Sequence, residues 1–151
     1  MNNKKFYVAY GSNLNVGQMV YRCPDAEVYD VGVLKNHQLE FWGWSGHGVA
    51  TVTPKKGSDV PVAVWEISES DERSLDSYEG WPHLYRKEDI EVVLDTGEVV
   101  TGMVYLMNEN YRGMKVTPAE PSNTYLNTIL QGYKYFKFQR DALSKACRRF
   151  R

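Results

Sequence analysis

Two short stretches hold residue types that do chemistry. The segment Leu75-Asp76-Ser77-Tyr78-Glu79-Gly80-Trp81-Pro82-His83-Leu84-Tyr85 sets one carboxylate, Glu79, at a helix end among aromatic and apolar neighbours. Burial there would lift a glutamate from about 4.3 towards roughly 6–7, where it exchanges protons efficiently near neutral pH. The same pattern also fits a solvated acid, or one that satisfies backbone donors. The second stretch, Tyr10-Gly11-Ser12-Asn13-Leu14, interrupts the apolar run from Phe6 to Tyr10. Gly11 frees the backbone, and Ser12 and Asn13 favour turns and caps over a continued ladder. A short helix from about Asn15 to Arg22, ended by Pro24, would place this turn at a helix N-terminus, where free N–H groups and the dipole favour a carboxylate or phosphate. An ordinary strand-to-helix turn is the competing reading, since the spacing of a P-loop or dinucleotide fingerprint is lacking. No GxSxG elbow surrounds Ser12, so it ranks as a hydrogen-bonding group and not as a nucleophile.

Other chemistries find little support. His37, His47 and His83 are scattered, and Cys23 and Cys147 lie far from them in sequence, so neither a metal site nor a cofactor is expected. Two cysteines without framework spacing point to reduced thiols and a cytoplasmic protein. The start, Met1-Asn2-Asn3-Lys4-Lys5, leads into an apolar run too short for a signal peptide, and no later segment approaches a membrane span. At 151 residues, with 42% hydrophobic and 25% charged side chains, the chain reads as one domain over residues 1–151. Its formal net charge of −1 gives no general attraction to nucleic acid or membranes.

The elements that must position these residues are mostly strands, then helices. Strands are expected at Phe6–Tyr10, at Glu27–Leu34 and Gln38–Trp42 with a break near Lys35-Asn36-His37, and at Ala50–Thr53 and Pro61–Ile67. The turn at residues 54–59 suggests that the last two form a hairpin. Leu84–Leu94 and Glu98–Met107 flank Asp95-Thr96-Gly97, the clearest hairpin signal in the chain. Ser68 to Tyr78 suits a short capped helix stopped by Gly80 and Pro82, which leaves Glu79 at its end. Ser122 is a plausible N-cap for a helix carrying Tyr125, Leu126, Ile129, Leu130 and Tyr133, and Phe138, Ala142, Leu143, Ala146 and Phe150 form a second helical pattern. Residues 108–120 are the longest irregular segment. This order predicts an α+β fold whose twisted, partly closed sheet is covered by C-terminal helices, in preference to a doubly wound parallel fold.

Three groups of residues, in order along nearly the whole chain, resemble the signatures of the γ-glutamylcyclotransferase-like family. They are Tyr10 to Leu14; Leu75-Asp76, Glu79-Gly80, Pro82 and Tyr85; and Pro121-Ser122 with Tyr125. The family's glutathione-specific branch carries a different opening turn, so that narrower assignment is not implied. The resemblance implies that Tyr10, Gly11, Ser12, Asn13 and Leu14 hold a γ-glutamyl group, with backbone donors of Gly11 to Leu14 on its carboxylate or carbonyl. It further implies that Tyr10 and Tyr125 line the pocket, with Tyr85 a lesser candidate, and that Glu79 is the acid/base. The implied reaction is attack of the substrate's own α-amino group on its γ-carbonyl, releasing 5-oxoproline and an amine, in the lyase or transferase class. The implied fold is a mixed, twisted, barrel-like sheet with short helices and with C-terminal helices packed on it. Trp81 and His83 depart from the signatures, and whether they and Tyr85 line the leaving-group side is left open. The identity of the leaving amine and the oligomeric state are left open.

Two alternatives stand beside this enzyme. One is a protein that binds γ-glutamyl compounds without turning them over. The other is a nucleic-acid-binding module built on Lys134, Lys137, Arg140, Lys145, Arg148, Arg149 and Arg151 interleaved with Tyr135, Phe136, Phe138 and Phe150. The preferred reading of that segment is an amphipathic helix with its apolar stripe on the sheet and its cations in solvent, and no nucleic-acid partner is expected.

Overall fold

Strand β1 (Lys5–Ala9) is buried at Tyr7, Val8 and Ala9 in succession, as expected of a strand covered on both faces. In the computed structural model, which describes residues 4–150, it has a paired strand on each side. Met1 to Asn3 of the leader reading and Arg151 of the basic segment lie outside the described residues. β1 pairs antiparallel with β3 (Val49–Ile67), from Lys5↔Ile67 to Ala9↔Ala63, and parallel with β5 (Val99–Met107) at Tyr7↔Met103. β5 pairs with β4 (Tyr85–Leu94) across the expected Asp95-Thr96-Gly97 turn. β4 pairs with β2 (Glu27–Gly43), and β2 runs back along β3, so the five strands close into a mixed barrel. Closure removes the unpaired edges that an open sheet would present.

The structure corrects three expectations about strands. No break separates two strands at Lys35-Asn36-His37: β2 is continuous, and the register shift there is a bulge at Asn36, whose φ is +59°. Ala50–Thr53 and Pro61–Ile67 do not form a hairpin with each other. Both belong to β3 and pair with β2, Val52 with Leu39 and Ala63 with Val31, while residues 55–58 swell out opposite Asn36. A turn signal in mid-strand thus marks a bulge, because the long partner strand supplies the pairing. The segment 108–120 is also more ordered than expected. It carries a small hairpin of β6 (Asn110–Tyr111) and β7 (Met114–Lys115), followed by β8 (Thr117–Pro118), which adds to the end of β2 through Trp42↔Pro118.

Four helices surround the barrel, and no helix among the described residues is long and apolar enough to cross a membrane. α1 (Val16–Arg22) is capped by the Asn15 side chain, which accepts from the Gln18 N–H. α2 (Glu69–Glu79) opens with a capping box between Ser68 and the buried Asp71 and ends at Gly80 in the left-handed conformation. α3 (Asn123–Phe136) begins at Ser122, whose hydroxyl accepts from the Tyr125 N–H, and α4 (Asp141–Arg148) packs over β2 and β3. Phe136, Phe138 and Phe150 of the basic segment rest against the core, Arg149 pairs with Glu40, and Tyr135 is exposed.

α3 also pins the turn that follows β1. Ser12–Leu14 form a single 3-10 turn, and Leu14 is buried beneath α3. The Asn15 amide donates to the Thr128 carbonyl (3.1 Å) and to Gln131 Oε1 (2.8 Å). A Cβ on Gly132 would lie 2.5 Å from Leu14 Cβ and 2.6 Å from its carbonyl carbon, so only glycine allows this approach. Gly132→Ala is therefore expected to destabilise the fold by about 1–3 kcal/mol, the usual cost of forcing one methyl into a packed site. Urea denaturation measures it, and an unchanged midpoint would refute the contact.

Candidate active site

Three tyrosine hydroxyls meet the backbone N–H and carbonyl of one residue, Ala50. Ala50 lies near the start of β3, beyond the reach of β1, whose pairing ends at Ala63. Its carbonyl accepts from the Tyr85 hydroxyl (2.7 Å) and the Tyr10 hydroxyl (3.4 Å), and its N–H donates to the Tyr125 hydroxyl (3.0 Å). β2 pairs with Ala50 through Phe41, and these hydroxyls serve its backbone groups where β1 does not reach. The single Tyr10 hydrogen is directed at the Tyr105 carbonyl, 2.6 Å away, and its 3.4 Å approach to the Ala50 carbonyl is the long arm of a shared donation.

Around this peptide is a cavity of about 100 Å³ lined by Tyr10, Gly11, Ser12, Asn13, Glu79, Tyr85 and Tyr125, together with Tyr7, Val49, Ala50, Tyr78, Leu84 and Tyr105. Pockets for drug-sized ligands run to roughly 300–1,000 Å³, so this one suits a single compact group with the rest of a molecule projecting from the mouth. Elements distant in sequence are brought together here: the end of β1, the end of α2, the start of β3, both strands of the β4–β5 hairpin, and the first turn of α3.

The hydroxyls are not equivalent. Tyr10 and Tyr85 spend their hydrogens on carbonyls, which can only accept. Tyr125 accepts from Ala50, and Tyr7 accepts from Asn13 Nδ2 (2.9 Å), so each keeps a hydrogen to donate. Burial pushes the ionisation of Tyr7, Tyr10, Tyr85, Tyr105 and Tyr125 upward, and all five are neutral at physiological pH. In the 3-10 turn, Ser12 and Asn13 are the first two residues, whose N–H groups such a turn leaves without an internal partner. The Leu14 N–H already donates to the Gly11 carbonyl (3.0 Å), and its side chain is in the core. Leu14 is thus a correction to the set implied by the sequence: it anchors the turn and does not line the cavity. The lining residues with unpartnered N–H groups within the turn thus belong to the 3-10 turn and not to α1, whose first turn is served by Asn15.

Glu79 is the last residue of α2. Burial pushes its carboxyl up to about 7, opposed by the positive charge of Arg22. A carboxylate at a helix C-terminus also meets the negative end of the dipole, which acts in the same direction as burial. Asn13 Nδ2 lies 3.4 Å from Glu79 Oε1, and the Tyr78 hydroxyl lies 3.3 Å from Ser12 Oγ. One turn earlier on α2, Asp76 accepts from the Tyr105 hydroxyl (2.6 Å) and pairs with Lys87 (2.9 Å), and its carbonyl receives the Gly80 and Trp81 N–H groups. Tyr105 is thereby fixed from both ends, through its hydroxyl and its carbonyl.

Trp81 and His83 are exposed and do not line the cavity, and the Lys87 ammonium sits 4.0 Å over the Trp81 ring. Sequence reasoning missed Tyr7, Ala50, Tyr78, Tyr105 and Arg22. Tyr78 adjoins Glu79 and lay within reach. Tyr7 and Tyr105 sit mid-strand, where aromatic residues read as core, and nothing local marks Ala50 or Arg22.

Comparison with known proteins adds to this geometry. Residues 7–127 match the family described as Gamma-glutamyl cyclotransferase, AIG2-like. The Homo sapiens protein named Gamma-glutamylcyclotransferase is 33% identical over 137 residues, covering 85% of this chain and 69% of that protein. The Mus musculus protein of the same name is 33% identical over 136 residues with the same coverage. A solved structure named Gamma-glutamyl cyclotransferase superposes with a TM-score of 0.80 at 28% identity, covering 95% of this chain and 86% of that one.

The position of Glu79 carries a cost in stability that pH reveals. Its carboxyl ionises at about 7 in the fold, against an ordinary value of 4.5. Between those values the folded chain holds a proton that the unfolded chain has lost, so this group's contribution to stability declines as pH rises from about 4.5 to about 7. Glu79→Gln is expected to be more stable than the wild type at pH 8, by on the order of 1–3 kcal/mol, and equal to it at pH 4. Thermal denaturation at the two pH values checks the sign; a pH-independent difference would contradict the burial of the charge.

Proposed function

The chain belongs to the gamma-glutamyl cyclotransferase, AIG2-like family, and on that premise we propose that Glu79 moves the protons of its reaction. It is an enzyme of the γ-glutamylcyclotransferase type, cleaving a γ-glutamyl amide with release of 5-oxoproline and an amine or amino acid. The observation that carries the assignment of Glu79 is a single carboxyl, pushed up to about 7, in a cavity with unspent donors around it. A cavity of about 100 Å³ suits the glutamyl part, with the leaving group in the open mouth.

The α-amino nitrogen attacks the γ-carbonyl carbon of the same molecule, forming the C–N bond of a five-membered ring. Effective molarities of roughly 10⁵–10⁸ M attend well-oriented reactions of this kind, so holding the glutamyl conformer supplies much of the rate. The amine, with an ordinary pKa of about 8, arrives largely as ammonium and cannot attack until a base removes a proton. Ionised Glu79 takes that proton. The oxygen of the tetrahedral intermediate carries the developing negative charge, and the Ser12 and Asn13 N–H groups and the Tyr7 and Tyr125 hydroxyls are the donors that stabilise it. Collapse breaks the bond to the leaving nitrogen, to which Glu79 returns that proton; the ring nitrogen, still holding one proton more than a lactam, gives it up to the carboxylate so regenerated, and the released amine takes it and departs as ammonium. Gly11 leaves room for the substrate backbone: a Cβ there would come within 3.0 Å of Ala50 Cβ and 3.8 Å of the Tyr125 hydroxyl. Tyr10 shapes the wall with its hydroxyl committed to the sheet. The reaction takes place in one domain, and the cysteine pattern supports a cytoplasmic setting.

The test is 5-oxoproline release from a panel of γ-glutamyl dipeptides and amines. Wild-type kcat/KM is expected to rise through about pH 7 as Glu79 ionises, and Glu79→Gln to lose about 10²–10⁴-fold with the fold intact. Undiminished turnover by that variant would remove Glu79 from its role. Binding of the panel without turnover by the wild type would instead support the non-catalytic alternative.

A further inference from the structure

Arg22 ends α1, half-buried and outside the cavity lining, and the reaction above gives it no part. Its Nη1 donates to Asn13 Oδ1, while the Nδ2 of the same amide donates to the Tyr7 hydroxyl (2.9 Å) and points at Glu79 Oε1 (3.4 Å). A guanidinium has only donors and a carboxylate only acceptors, so the two fix opposite ends of the amide. Turned over, the amide would set Oδ1 against the Glu79 oxygens and NH₂ against the guanidinium. The guanidinium also lies 3.5 Å over the ring of Tyr78, the residue before Glu79, whose hydroxyl in turn meets Ser12. Arg22 therefore braces the last turn of α2 from one side and the 3-10 turn from the other.

Resting on the catalytic reading of Glu79, we propose that Arg22 is a positioning residue: it orients the Asn13 amide and, through that amide and its own uncancelled charge, holds the Glu79 carboxylate where it exchanges protons with the substrate. Among the described residues no carboxylate oxygen lies within 4.0 Å of the guanidinium, and its contacts are the neutral amide and the neutral ring. The groups that face Glu79 are Tyr7 from β1, Tyr10 from the loop, Tyr78 from α2, Tyr85 and Tyr105 from the β4–β5 hairpin, and Tyr125 from α3. None brings a positive charge. Asp76, the next carboxylate on α2, is occupied by Tyr105 and Lys87. Arg22 is thus the cation opposing the burial of Glu79.

Two readouts test this, one of which needs no turnover. Glu79 is titrated by NMR in protein labelled with ¹³C at the glutamate carboxyls, with Glu79→Gln to assign the signal. Arg22→Gln, which keeps a donor for Asn13 but no charge, is expected to raise the Glu79 midpoint by about 0.5–1 pH unit and to lower kcat/KM on a γ-glutamyl dipeptide about three- to tenfold below pH 7, with the gap narrowing above pH 8. Arg22→Lys, which restores the charge, returns the midpoint towards the wild-type value. Should Arg22→Gln fail to fold, Arg22→Met is titrated in its place. A Glu79 midpoint unmoved by loss of the charge, or a rate loss equal at every pH, overturns the proposal. If the wild type releases no 5-oxoproline yet the midpoint moves, the catalytic reading fails while the hold of Arg22 on the carboxyl stands.

Discussion

The backbone of one buried residue, Ala50, on the side that β1 does not reach, is the constraint on which the site depends. β1 covers only the later part of β3, and on that side the beginning of β3, paired with β2 on the other, needs further partners for its backbone. Tyrosine hydroxyls provide them. Tyr10 arrives from the end of β1, Tyr85 from the start of β4 and Tyr125 from the first turn of α3, and each comes to the same residue. Buried peptide groups without partners cost on the order of 1–3 kcal/mol each, so satisfying the sheet and gathering aromatic walls around a small cavity are the same event.

That arrangement sorts the hydroxyls by what they have left to give. Those donating to carbonyls are structural, whereas Tyr125 and Tyr7, which receive a hydrogen bond, keep a hydrogen for a ligand. Glu79 enters this apolar and neutral setting as a charge-bearing group held away from water, which pushes its ionisation to about 7. The stability lost by ionising a carboxyl there is the counterpart of a group that exchanges its proton near neutral pH. α3, pressed onto the 3-10 turn at Gly132, and α1, through Arg22 and Asn13, keep the turn and the carboxyl in register.

Much of this was legible in local sequence where one residue decides one element. The Ser68 and Gly80 ends of α2, the Asp95-Thr96-Gly97 hairpin and the Ser122 cap carry their own stop and start signals. Reading failed where pairing overrode local preference. Residues 54–59 look like a turn and are part of a bulge, since β2 offers partners on both sides of them, and Arg112-Gly113 make a hairpin too short to show a strand pattern. Leu14 belongs to the same signature as Ser12 and Asn13, yet it faces the core, a difference of direction that side-chain type does not encode.

The sequence by itself determined the class of fold and the family signatures, and it set Ser12 in a polar turn and Glu79 at a helix end. It did so because caps, turns and periodic burial are local properties of a few consecutive residues. Only the tertiary structure decided that Tyr7 and Tyr125 hold unspent donors, that Ala50 is their meeting point and that Arg22 reaches the Glu79 carboxyl through Asn13. Desolvation and hydrogen-bond partnership depend on which distant segments come together in space, and spacing along the chain does not record that.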